Sequence, residues 1–187
     1  MTTPALMHSA PKDFALRRPL LTALALSLGA AVSLGISRFS YALLLPPMRD
    51  DLGWSYLLAG AMNTANAFGY LIGALVTPAL MRRYGAQTAL IGGSVLTGMF
   101  MLLSGFVTDA DMLLLQRVLA GVASAFIFIA GGVLAARLGS LHAHRAGFLI
   151  GLYYGGTGFG IALSAFLVPA TLAGAARHGA AHGWQWA

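Results

Sequence analysis

LGWSYLLAGAMNTANAFGYLIGALVTPALM (52–81) carries no charged side chain from end to end. A helix needs about 20 predominantly apolar residues to cross the hydrocarbon core of a bilayer, and this stretch is longer than that. Four further runs, 19–37, 84–108, 118–136 and 146–176, are also free of charge. Of the 187 residues, 58% are hydrophobic and only 9% charged, where a soluble domain carries about 25% charged residues. The runs predict an all-α integral membrane protein with five transmembrane helices, at about 20–46, 56–80, 86–107, 112–137 and 146–172. A β-barrel would need strands of about ten residues with alternating polarity, and these runs do not alternate. The first run outlasts a signal-peptide core of about 7–15 residues and lacks an A-x-A site at its end.

Composition narrows the function classes. The net charge of +6 is spread over loops, with no basic helix or aromatic-interleaved patch, so no nucleic-acid partner is expected. There is no cysteine, which removes disulfides, thiolate metal sites and a cysteine nucleophile. No Asp, Glu or His falls within any predicted span. An intramembrane enzyme would need a nucleophile–base pair or metal ligands there, so neither an enzyme nor a cofactor is expected. His178 and His182 lie four apart, but in a Gly/Ala loop with no acid near them in sequence, and no metal site is expected.

The basic residues set the orientation. With the N-terminus inside, the inner segments hold Lys12, Arg17, Arg18, Arg82, Arg83, Arg137 and Arg145, and the outer ones hold Arg49 and Arg177. The positive-inside rule selects this arrangement. It predicts a multi-pass protein of the inner or plasma membrane with a cytoplasmic tail at 1–18 and an external C-terminal end. Residues 19–187 form a membrane bundle that is expected to be incomplete. In AGAARHGAAHGWQWA (173–187), Trp184 and Trp186 read as interfacial anchors approaching a sixth helix.

Two arginines remain inside the spans. Arg38 stands eight residues before Pro46, roughly 12 Å from the outer end at 1.5 Å per residue. Arginine cannot shed its charge, and at mid-bilayer it costs at least about 2.5–3.5 kcal/mol. Arg38 is either snorkelling to the headgroups or facing a water-filled cavity, and the cavity is the preferred reading. Arg117, about five residues into the fourth span, is better placed to snorkel. If both face one cavity, they form a site for an anion, since a guanidinium holds a carboxylate with two parallel bonds.

Polar and small residues fall into stripes. Asn63, Asn66, Tyr70, Gly73 and Thr77 lie three and four apart, hence on one face of the second span; the asparagines either glue helices together or line a polar cavity. Ala61, Ala65, Gly69 and Gly73 form a close-packing seam. Arg117, Gly121, Ser124, Phe128, Gly131 and Ala135 share a face of the fourth span. The fifth span carries Gly147, Gly151 and Gly155, then Gly156, Gly160 and Ser164, with Tyr153, Tyr154 and Thr157 as polar handles. The packing glycines are expected to be Gly73, Gly121, Gly151, Gly155 and Gly160. Ser94, Thr97 and Ser104 can bond back to their own helix, so the third span reads as peripheral and lipid-facing.

These residues also carry a family resemblance. LLLQRVLAGVASAF (113–126) resembles the arginine motif in the fourth helix of the major facilitator superfamily. GALVTPALMRRYGAQ (73–87) is similar to that superfamily's loop between helices 2 and 3, with Arg82, Arg83 and Gly85 as the gating-loop residues, although Arg82 stands where an Asp is usual. The fifth span is only partly like the glycine-rich antiporter motif, with Gly155-Gly156 in place of Gly-Pro. GISRFSYALLLPPM (35–48) together with NTANAFGYLIGAL (63–75) resembles the YbfB-type branch. The resemblance implies a secondary transporter of twelve helices in two halves, with helices 1, 2, 4 and 5 lining a cavity. The chain is then the N-terminal part of such a fold, inactive alone, its partners being the lipid bilayer, a small-molecule substrate and the missing C-terminal half. The expected substrate is a small organic anion moved by alternating access, bound by Arg38, Tyr41, Asn63, Asn66, Arg117 and Tyr154. The alternatives are efflux of hydrophobic drug-like compounds and a truncated, non-transporting membrane protein.

Overall fold

The computed structural model describes residues 17–186; most of the expected tail at 1–18 therefore lies outside the described residues. Five helices are long and apolar enough to cross a membrane: α1 (Pro19–Leu52), α2 (Tyr56–Tyr84), α3 (Ala86–Ser104), α4 (Ala110–Leu141) and α5 (Ala146–Arg177). Short 3-10 turns at Ala143–Arg145 and Gly183–Trp186 complete the described chain. The five expected spans are all present, and most run several residues past their expected ends. Hydropathy marks the lipid-crossing part of a helix, whereas hydrogen bonding carries the helix on into the polar boundary.

The largest difference is in α1. Pro46 was expected to close it, yet the helix continues through Pro46 and Pro47 to Leu52. It stops at Gly53, whose φ of 65° is the left-handed conformation that glycine adopts without strain. Each proline removes one backbone donor, and near the helix end that loss is affordable. Between Ala31 and Ile36 the same helix widens into a π turn. At the other end of α2, Gly85 takes φ 85° and turns the chain straight into α3.

α4 is the hub, packing against α1, α2, α3 and α5. Its small residues make this possible. A Cβ on Gly69 of α2 would fall on the Val118 carbonyl oxygen, and one on Gly121 of α4 would fall on that of Asn66. Gly73 is held as closely, 2.6 Å from the Val122 carbonyl oxygen by the same measure. On the α1–α5 side, Gly156 lies against the Ser27 carbonyl, and a Cβ on Gly160 would stand 2.5 Å from the Ala31 oxygen. Opposite it, a Cβ on Gly35 would come within 2.7 Å of the Gly160 Cα, so two backbones touch at the π turn. Gly151 and Gly155, expected to pack, face open space instead. Helix 5 carries two glycine stripes one residue apart, and α1 uses the Gly156–Gly160 stripe.

Hydroxyls bind α1 to α4. Ser33 Oγ donates to the Ser124 carbonyl at 2.8 Å, and Ser124 Oγ donates to the Ser33 carbonyl at 2.7 Å. In α3, Ser94 and Ser104 donate to carbonyls of their own helix at 2.9 and 2.8 Å. The outer face of α3 exposes Ile91, Val95 and Leu102, in keeping with a peripheral position. Its other face, with Ala89, Gly93 and Thr97, is buried.

Candidate functional site

The two arginines inside the helices occupy different surroundings. Arg117 is buried, with 6% of its surface exposed. Its guanidinium carbon sits 3.8 Å from the centroid of the Tyr41 ring, and Nη1 donates to the Ser37 carbonyl at 3.4 Å. The ring face offers its negative quadrupole to the charge. Nε and Nη2, which form the other edge of the guanidinium fork, have no hydrogen-bond partner, and neither has the Tyr41 hydroxyl. These three atoms are closed to water, while the residues Arg117 and Tyr41 help to border a cavity of about 90 Å³ lined by Ser37, Ser40, Ser104 and Trp184. Asn66 is buried and donates its amide N–H to the Arg117 carbonyl oxygen at 3.1 Å. Of the two roles considered for that asparagine, the visible one is gluing α2 to α4.

Arg38 is exposed on the surface of the helix assembly. It is close enough to Tyr70 of α2 and to Arg117 for electrostatic interaction. Tyr70 is in turn coupled to Tyr154 of α5, which is 48% exposed. Tyr153 and Tyr154 meet edge to face at 4.9 Å, and Phe128 of α4 lies 5.6 Å from Tyr154. Tyr153 is fully buried and donates to the Phe128 carbonyl at 2.7 Å. Gly131 leaves room for it, because a Cβ there would lie 2.6 Å from its hydroxyl. One exposed face thus gathers a mid-helix cation, two phenols and an aromatic ring from four helices. Asn63, two turns before Tyr70 on the same stripe, is half-buried. Tyr70 is the member missing from the expected site; its place in the Asn63–Tyr70 stripe was the available signal.

Arg82 and Arg83 end α2 on the opposite side of the bundle, both exposed, and Arg83 lies over the Tyr84 ring at 5.3 Å. With Gly85 they form the α2–α3 turn.

A feature with no local signature stands at the end bearing the α1–α2 and α3–α4 turns. Trp184 was expected to anchor at the interface but is 4% exposed, packed in a cluster with Tyr41, Met48, Met62 and Leu113. Its indole N–H donates to Asp51 Oδ2 at 2.6 Å. His182 Nδ1 is 2.6 Å from the same oxygen. The histidine expected to stand apart from any acid is therefore paired with one, 131 positions away in the chain. Trp186 is exposed and stacks on His178 at 6.2 Å. The chain after α5 thereby folds back over the end of the bundle, and Trp184 and Gln185 border the cavity beside Arg117.

A family model described as "Uncharacterised MFS-type transporter YbfB" matches residues 30–187. No curated protein matches the chain.

Proposed function

This chain belongs to the YbfB-type family of MFS transporters, and from that premise we propose that it serves to move a small organic anion by alternating access. The observation that carries the proposal is the position of Arg38, a permanent cation exposed midway along a membrane-crossing helix beside Tyr70 and Tyr154. A charge at that depth is too costly to leave against lipid and marks a polar pathway. In this reading Arg38 grips a carboxylate through its planar fork, while Tyr70, Tyr154 and Asn63 orient the molecule by hydrogen bonds. Two bundles rock about the site. The N-terminus lies in the cytoplasm, and Arg82, Arg83 and Gly85 form an inner gating turn.

The exposed Tyr154 ring with the Phe128 ring beside it also suits the apolar body of a larger compound, which supports hydrophobic efflux as a second reading. One experiment separates the two. The protein is reconstituted in liposomes and offered labelled mono- and dicarboxylates, organic cations and neutral aromatic compounds. We expect saturable transport of at least one carboxylate class and none of the cations. Transport confined to cations or neutral compounds would overturn the anion reading.

A further inference from the structure

Asp51 stands in the last turn of α1, and two donors from the segment after α5 meet on one of its oxygens. The Trp184 indole N–H donates to Oδ2 at 2.6 Å, and His182 Nδ1 lies 2.6 Å from the same atom. Trp184 is buried among Tyr41, Met48, Met62 and Leu113. A buried indole needs a partner for its N–H, and Asp51 is that partner. Among the described residues, the side-chain hydrogen bonds that tie this segment to α1 both end on Asp51. The segment leaves α5 through Gly179, whose φ of 64° glycine adopts without strain. Its 3-10 turn at Gly183–Trp186 is joined to His182 by the bond from the Gln185 N–H to the His182 carbonyl.

His182 differs from Trp184 in that its donor depends on pH. Histidine is the side chain whose charge changes between about pH 5 and 8. A charged ring carries a proton on Nδ1 and adds Coulomb attraction to the carboxylate. A neutral ring carries one proton, and when that proton is on Nε2 the Nδ1 lone pair faces the carboxylate. A carboxylate holding two donors stays ionised over this range. The pair is therefore complete at the acidic end and weakens as the pH rises. We infer that the segment from His178 to Trp186 is a pH-sensitive lid on this end of the bundle, fastened at Asp51 while His182 is charged and loosened when His182 is neutral. Trp184 and Gln185 border the cavity beside Arg117, so loosening the lid opens that cavity. The lid does not depend on what is transported, and its test needs no transport assay.

Other ionisable groups lie on the elements packed against the lid. Arg49 and Asp50 of α1 pair with each other, and Arg49 also lies over the Tyr56 ring at 4.2 Å. Asp109 accepts from the Met112 N–H and caps α4, with Asp111 in its first turn. Arg117 and Tyr41 stack on one another at the cavity. At the end of α5, Arg177 precedes His178, whose Nδ1 lies 2.8 Å from the Gly174 carbonyl oxygen and whose ring stacks on Trp186. His178 is a second histidine in the lid and is varied separately.

Trp184 supplies the readout. With Trp54→Phe and Trp186→Phe, the purified chain in detergent keeps Trp184 as its sole tryptophan. Acrylamide, a neutral quencher, is titrated at several pH values. The quenching constant is taken per unit excited-state lifetime, which cancels quenching of the indole by a neighbouring imidazolium. A partly exposed ion pair is weak, so the constant is expected to rise about two- to threefold from about pH 5.5 to about pH 8.5. Asp51→Asn is expected to give the high value at every pH. His182→Gln is expected to remove the pH dependence, and His178→Gln to keep it. Should Asp51→Asn fail to fold, His182→Gln, at a partly exposed position of the turn, decides. A constant that stays the same across this range, or a pH dependence that survives in His182→Gln, would overturn the inference.

Discussion

Arg38→Ala is expected to abolish carboxylate transport, lowering its rate at sub-saturating substrate by at least about 30-fold at equal expression. Removing one partner of a desolvated, hydrogen-bonded charge pair costs about 2–5 kcal/mol, and each 1.4 kcal/mol is about a factor of ten. Arg38→Lys keeps the charge but replaces the planar fork by a point charge, so about a tenfold loss is expected, mostly as weaker apparent affinity. The pair of variants separates charge from geometry. Stability should change little in either, because the Arg38 side chain is exposed. Transport unaltered in Arg38→Ala would take this arginine out of the site.

Gly69→Ala is expected to be the most damaging single-methyl change in the α2–α4 interface. The added Cβ would sit on the Val118 carbonyl oxygen, with the Val118 carbonyl carbon 2.7 Å away. Backbone cannot rotate aside as a side chain can, so the two helices must separate. Overpacking costs about 1–3 kcal/mol where side chains can adjust, and we expect about 3 kcal/mol or more here. Separation also stretches the Asn66–Arg117 hydrogen bond across the same seam. Thermal unfolding in detergent measures the loss. Gly60→Ala and Gly92→Ala serve as controls: both positions have nothing within 4 Å, and replacing helix glycine by alanine favours the helix by up to about 1 kcal/mol. Equal effects at all three positions would contradict the close approach.

These two residues also mark what was legible in the sequence. The five spans could be read from charge-free runs because lipid enforces that pattern locally. Arg38 could be singled out because a charge inside such a run is conspicuous. The seam at Gly69 and Gly73 followed from small residues four apart. What spacing alone could not decide is which of two adjacent stripes meets a neighbour: Gly151 and Gly155 looked as suited to packing as Gly156 and Gly160, and the rotation of α5 against α1 chose the second pair. The π turn at Ala31–Ile36, where Gly35 meets Gly160, leaves no compositional mark. Arg117 could be seen, but the stacked Tyr41 and the unpartnered edge of its fork depend on how α1 meets α4. The Asp51–His182–Trp184 contact joins residues 131 and 133 positions apart and follows from the fold rather than from any motif. Tyr70 was visible in the helix 2 stripe; its partnership with Arg38 and Tyr154 needed the packing of three helices.

The most direct measurement asks whether the Arg38–Tyr154 face is wet. The sequence contains no cysteine, so Arg38→Cys and Tyr154→Cys each place a single thiol in this chain, and Leu75→Cys does so at an apolar position of α2 that is 75% exposed. A charged, water-soluble thiosulfonate is applied to membranes open to both sides; it reacts only with a thiolate, which forms in contact with water. A water-filled transport pathway predicts labelling at positions 38 and 154, slowed by transported carboxylate at position 154, where Arg38 is intact, and none at position 75. Positions 38 and 154 as unreactive as position 75 would mean that this face is turned to lipid, and the pathway assigned to Arg38 would be wrong.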